Sequence, residues 1–439
     1  MPDLLFEHFE QWRDRYGWIS GAIILMTAIA VMIPRNRSAR PRRIFRFVGL
    51  AMGIGIGSLL FIPALPRIVT ALQLLVIARA PMGTSGPFPV ATADISLPSA
   101  TSGDPAILVQ IWYPTASSSL AVAKPPKSMV PPLCSKVLDQ GRLAGAGQQF
   151  PVLLYAPGNG GLKDDSASTE AELASHGYII VAIDDIERAP KFLNSMGENL
   201  PPLVFDFSSD EALERFFQTG DRKVRREADQ ALAALDRLTE CANANWRARV
   251  RFDRVGFFGF SFGGSVAAEA STIDPRVAAA ANLDGALFGR AAAGGLDKPY
   301  LVLLIKDDLF PEPRQLRSPE PSERITAMLA EKDLRKEARL ANQQDGFGFR
   351  IRTSYHENLS DLIFSRSFFK TWLAVNPYRV KAIRDAYLLA FFDAYLRGMP
   401  SPLLTQSPSP FHEVEIMRAN QYWLNEVTKS PAQAAASQN

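Results

Sequence analysis

The chain has 439 residues, 47% hydrophobic and 21% charged, with 29 Gly and 32 Pro. That composition excludes a long disordered chain and allows one large domain with additions. The net charge of +3 rests on Arg35, Arg37, Arg40, Arg42, Arg43 and Arg46; outside this cluster there is no basic excess, so nucleic acid is not an expected partner.

From the N-terminus, residues 18–33 (WISGAIILMTAIAVMI) and 47–65 (FVGLAMGIGIGSLLFIPAL) carry no charge. Runs of this length predict two transmembrane helices, making residues 1–80 a membrane anchor. A mixed-charge leader (Asp3, Glu7, Glu10, Arg13, Asp14, Arg15) and the arginines after the first run argue against a cleaved signal peptide. The short basic loop between the runs belongs on the cytoplasmic side, which places the rest of the chain outside a plasma or inner membrane.

Residues 85–425 read as one catalytic domain and 426–439 as a loose tail. ILVQIWYP (107–114) alternates like a strand. Five apolar runs follow: PVLLYAP (151–157), YIIVAID (178–184), RVGFFGF (254–260), VAAAANLD (277–284) and PYLVLLIKDD (299–308). Such continuous runs are the pattern of buried parallel strands. Helical patterns alternate with them: STEAELASHG, the long amphipathic DRKVRREADQALAALDRLTECA, and FGGSVAAEAS directly after the FGF strand. The βα alternation predicts an α/β fold, a mostly parallel central sheet with helices on both faces. Residues 188–220 and 311–345 are extra-long connections, either a lid over the site or decoration at its edge. The two cysteines, Cys134 and Cys241, leave a disulfide and free thiols equally open. Neither has metal-ligand spacing and the histidines number four (His8, His176, His356, His412), so no metal is expected.

Gly259-Phe260-Ser261-Phe262-Gly263 matches G-x-S-x-G between a strand and a helix, the setting of a nucleophile elbow and of the α/β-hydrolase fold. A serine hydroxyl needs an adjacent base. His8 precedes the apolar runs, His412 follows the last core helix and His176 ends a helix, which leaves His356 in the loop TSYHENLSD. The acid stays open between Asp284 and Asp307 or Asp308, each at the end of a strand. An oxyanion hole takes one backbone N–H from Phe262, after the nucleophile, and a second from the glycine-rich loop PGNGG (157–161), assigned to Asn159.

Several of these pieces together resemble the platelet-activating factor acetylhydrolase family of the plasma type: VQIWYP, VLLYAPGNGG with ELASHGYIIVAID, GFSFGG, NLDGALFG and YHENLSD, over residues 85–400. The resemblance implies Ser261 as nucleophile, Asp284 as acid and His356 as base, with Phe262 and Asn159 at the oxyanion positions. It also implies hydrolysis of short or oxidised acyl esters of phospholipids without calcium or any cofactor. The chain departs from the family at Pro157-Gly158, where His-Gly is common, in its two apolar N-terminal runs, and in a long insertion between Asp284 and His356. Expected partners are therefore a small-molecule or lipid ester and a membrane, with the oligomeric state open. Alternatives are an esterase or acyltransferase on a non-phospholipid ester, and an inactive membrane-anchored binding protein.

Overall fold

The computed structural model describes residues 83–97, 107–116, 134, 138, 142–145, 147–185, 203–305, 309–365 and 376–417. All lie in the second of two compact units, Met82–Asn439, the first being Met1–Pro81. The expected spans 18–33 and 47–65 and the tail 426–439 lie outside the described residues. Among the described residues no helix is long and apolar enough to cross a membrane.

Nine described strands form one sheet: β1 (Val90–Leu97), β2 (Ile107–Pro114), β3 (Phe150–Ala156), β4 (Ile179–Ile183), β5 (Val250–Phe260), β6 (Val277–Leu283), β7 (Tyr300–Leu304), β8 (Gly346–Ile351) and β9 (Val414–Ile416). Their order is β1-β2-β4-β3-β5-β6-β7-β8-β9. From β4 to β8 all neighbours are parallel, while β2 near one edge and β9 at the other run antiparallel to them, and β1 pairs antiparallel with β2. The parallel order with an antiparallel β2 is that of the α/β-hydrolase fold.

The five apolar runs become β3 to β7 because both faces of such strands are covered, β5 being exposed only near its start at Asp253 and Arg254. Val152 and Leu154 of β3 join the apolar cluster on one face, Leu153 and Tyr155 the cluster on the other. Helices α2 (Asp210–Cys241), α3 (Phe262–Ile273) and α4 (Pro321–Asn342) supply the first face; α1 (Ala167–Ser175) and α5 (Pro377–Arg397) supply the second.

β1 was not among the expected strands. VATADISL mixes Thr, Asp and Ser into an edge strand with three partly exposed residues at its centre, so no continuous apolar run marks it. The two long connections also differ from a lid in their described parts. The first third of α2 falls in 188–220, starting at the cap Ser209, whose side chain accepts from the Ala212 N–H. Most of 311–345 is α4, which crosses from β7 to β8 and buries Leu334, Ala338, Leu340 and Ala341 in the core. Both are crossover helices, which parallel strands require. Residues 186–202 lie outside the described residues. Cys134 and Cys241 form a disulfide, with Cα atoms 6.3 Å apart and a sequence separation of 107.

Candidate active site

The carboxyl ends of the parallel strands carry the residues singled out above, where ligands of open α/β sheets bind. β5 ends at Phe260 and α3 begins at Phe262, so Ser261 alone makes the turn, at φ 53° and ψ −126°. A serine in the left-handed region is strained, and the close packing around it holds it there. A Cβ on Gly263 would lie 2.1 Å from the Ala156 carbonyl oxygen; only glycine lets α3 start this close to the end of β3. The Ser261 N–H donates to the Leu283 carbonyl at 2.8 Å, and its carbonyl accepts from the Gly264 N–H at 2.9 Å.

Phe260 pairs with Leu283, which brings Asp284 to the neighbouring strand end. Asp284 also has positive φ, 60°. Its turn is fixed by Asn282, whose Oδ1 accepts from the Gly285 N–H (2.8 Å) and whose Nδ2 donates to the Gly285 carbonyl (2.7 Å), to Tyr300 Oη (3.0 Å) and to Glu337 Oε1 (2.8 Å). Tyr300 donates to Glu337 Oε2 at 2.8 Å. Burial first, then the charge of Asp333, push the Glu337 carboxyl well above its usual range. A Cβ on Gly285 would fall 1.9 Å from the Ser261 carbonyl oxygen, so the elbow and the Asp284 turn are in direct backbone contact.

His356 reaches this edge from the loop after β8. Its Nδ1 donates to Asp284 Oδ2 at 2.5 Å; Asp284 Oδ1 accepts from the Ile305 N–H at 3.3 Å. The Asp284 side chain is 7% exposed and that of His356 40%. The imidazole lies over the Phe260 ring, centroids 4.7 Å apart. Two residues not singled out from sequence shape the loop. Asn358 Oδ1 accepts from the Tyr355 N–H at 2.8 Å, and Asp361 accepts from the Ser168 N–H (2.7 Å) and hydroxyl (2.5 Å) at the start of α1. Their signal was the Asn-x-x-Asp that follows His356.

The loop after β3 forms a turn closed by the Gly161 N–H on the Gly158 carbonyl at 2.8 Å. Asn159 sits inside this turn, with Oδ1 buried and unpartnered, while Gly158 packs against Ser261, a Cβ there falling 3.2 Å from the serine Cβ. Phe262 is buried at the start of α3. Its ring opens an aromatic row: Phe288 at 5.4 Å, Phe216 a further 5.4 Å on, and then Phe205 at 5.4 Å, which is 62% exposed.

Ser261, Asp284, His356, Phe262 and Asn159 are thus gathered at one edge of the sheet. The other acid candidates, Asp307 and Asp308, lie outside the described residues. His176 pairs with Glu172 at the far end of α1 (3.2 Å) and His412 is 87% exposed beside Glu413; neither is at this edge. No group of His, Cys, Asp and Glu able to hold a metal occurs among the described residues.

Residues 140–344 match the dienelactone hydrolase family model, a segment that holds Ser261 and Asp284 and stops before His356. Among solved structures, the chain is similar to a ferulic acid esterase from Streptomyces cinnamoneus, at 25% identity and a TM-score of 0.51, over 76% of this chain and 98% of that one. No curated protein matches. The chain is thus similar to hydrolases of the dienelactone hydrolase and esterase kind and shares the α/β-hydrolase fold.

Proposed function

We propose that the chain is a serine carboxylic-ester hydrolase that works through an acyl-enzyme, with Ser261 as nucleophile, His356 as base and Asp284 as the orienting acid. The observation that carries this reading is the 2.5 Å bond from His356 Nδ1 to Asp284, beside a serine held at φ 53° on a strand-to-helix turn. With Nδ1 donating to the carboxylate, Nε2 is the nitrogen that acts as base. It takes the Ser261 hydroxyl proton as Oγ bonds to the acyl carbon; the tetrahedral oxyanion is met by the N–H groups of Phe262 and Asn159. The C–O bond to the leaving alcohol then breaks, and the imidazolium returns the proton to that oxygen. Water, deprotonated by His356, attacks the acyl-serine, and the proton goes back to Ser261 as the acid is released.

For substrate we propose short or oxidised acyl esters of phospholipids, supported by the pieces VLLYAPGNGG, GFSFGG, NLDGALFG and YHENLSD. Phe205, 62% exposed at the outer end of the aromatic row from Phe262, offers an apolar contact to an acyl chain. A membrane anchor at residues 1–80, with the domain on the extracytoplasmic side, would bring such a substrate within reach, and the Cys134–Cys241 disulfide suits an oxidising compartment. The likeness to a ferulic acid esterase favours a second reading, an aromatic acyl ester.

The test is hydrolysis of a p-nitrophenyl ester series by the full chain in detergent, with oxidised phosphatidylcholine and methyl ferulate beside it. Ser261→Ala is expected to lower kcat by roughly a million-fold and Asp284→Asn by roughly 10,000-fold. Preference for the phospholipid or for the ferulate separates the two substrates. A wild type that hydrolyses no ester and takes up no fluorophosphonate probe overturns the esterase reading and leaves the binding-protein alternative.

A further inference from the structure

Lys223 lies fully buried in α2, inside a cluster that the mechanism does not use. Its Nζ is 2.9 Å and 2.8 Å from the two carboxylate oxygens of Asp185, just past the end of β4, and 2.7 Å from Glu227 Oε1, one helical turn on. The side chains of Lys223, Asp185 and Glu227 are 1%, 0% and 2% exposed. Packing alone does not call for charges here. Taking a lysine and two carboxyl groups out of water costs more than their attraction commonly returns, and apolar side chains of similar volume serve a core at least as well.

The cluster touches both halves of the oxyanion hole. Asp185 Oδ2 accepts from the Gly160 N–H at 2.8 Å, and the Asp185 N–H donates to the Gly161 carbonyl at 3.3 Å. These bonds pin the Gly158–Gly161 turn on the C-terminal side of Asn159, and Gly160 adopts φ 67° within it. Lys223 Nζ lies 5.4 Å from the ring centroid of Phe262, the residue that supplies the other N–H. One carboxylate thus fixes the turn carrying one donor. One ammonium holds that carboxylate and bears on the residue carrying the second. A cation on this side also favours the negative charge that develops on the substrate oxygen.

We infer that Asp185 and Lys223 are positioning residues for the oxyanion hole, fixing the Asn159 turn against Phe262 through the Gly160 N–H. The inference rests on the esterase reading above. Tightening or loosening this turn changes how well the donors meet the tetrahedral oxygen and leaves substrate binding nearly untouched, so the effect belongs in kcat.

The experiment measures kcat and KM for p-nitrophenyl butyrate with the full chain in detergent, per active site titrated with a fluorophosphonate. Asp185→Ala, which removes the acceptor for Gly160, is expected to lower kcat per titrated site by about 100-fold, the scale of one misplaced oxyanion donor, with KM changed less than about twofold. Asp185→Asn keeps an oxygen for the Gly160 N–H and is expected to recover most of that loss. Should Asp185→Ala fail to fold with Lys223 left to Glu227, the triple variant Asp185→Ala, Lys223→Met and Glu227→Gln removes the remaining buried charges and is expected to show the same loss in kcat. Variants that titrate less protein but turn over at the wild-type rate per site overturn the inference and leave the cluster a purely structural one. A wild type that neither hydrolyses the ester nor titrates removes the esterase reading itself, and this inference with it.

Discussion

Behind Asp284, the amide of Asn282, the phenol of Tyr300 and the carboxyl of Glu337 make a hydrogen-bonded network rooted in α4. Behind Asn159, the side chains of Asp185, Lys223 and Glu227 make an ion-paired one rooted in α2. Each network fixes a turn by gripping backbone: Gly285 in the first, Gly160 in the second. The difference follows from what each turn presents. In the proposed mechanism Asp284 remains a carboxylate beside an imidazolium, and a cation paired with it would compete with that pairing; dipoles fix the turn. On that mechanism the oxyanion side meets a negative charge that appears only during reaction, so a lysine behind it helps where one paired with Asp284 would hinder. A crossover helix thus supports each half of the site, in chemistry suited to that half.

The sharpest way to break this contrast is Lys223→Met. It strands the Asp185 carboxylate and Glu227 in a site that is 0–2% exposed, and it is expected to cost about 3–5 kcal/mol of stability, read as a lower urea midpoint of unfolding. On the other side, Asn282→Ala leaves Gly285, Tyr300 and Glu337 short of their shared partner and is expected to cost about 2–3 kcal/mol. The ordering matters more than either value. Equal losses would mean that the ion-paired network behaves as an ordinary hydrogen-bonded one.

The two halves were unequally legible in the sequence. Ser261 stood out because G-x-S-x-G fell between an apolar run and a small-residue helix, and β5 and α3 are those elements. Asp284 did not stand out from Asp307 and Asp308, since all three follow apolar runs; resemblance of the segment NLDGALFG to a family whose acid lies in an LD-containing segment chose it. The physical signal is in those letters. Asn282 and Gly285 bracket an aspartate at positive φ and clasp it from both sides. The charged support was illegible. Lys223 and Glu227 lie four apart on a helix with many charges, the spacing of any exposed i,i+4 pair, and nothing in the chain ties them to Asp185, 38 residues earlier. β1 was missed for a related reason, because an edge strand carries too few apolar residues to announce itself.

The gentlest probe is pH. Burial first, then the Asp185 carboxylate, push the Glu227 carboxyl up to about 8 against the pull of Lys223. An acid whose value is higher in the folded state binds more protons folded than unfolded between the two values, so it draws stability away as pH rises. Its contribution is fully present below about pH 4.5, the ordinary glutamate value, and is lost as pH climbs through about 8. Glu337 on the other side is raised as well, so the slope of the wild type alone does not isolate the charged network. The difference between wild type and Glu227→Gln does. Urea unfolding at a series of pH values from 4.5 to 9 is expected to give a wild-type stability that falls more steeply than that of Glu227→Gln, with the two curves running parallel above about pH 8. If they run parallel throughout, Glu227 holds the same protonation folded and unfolded. The cluster would then carry its second negative charge at neutral pH, and Lys223 would be fully spent on its two carboxylates with no positive charge to lend to the oxyanion.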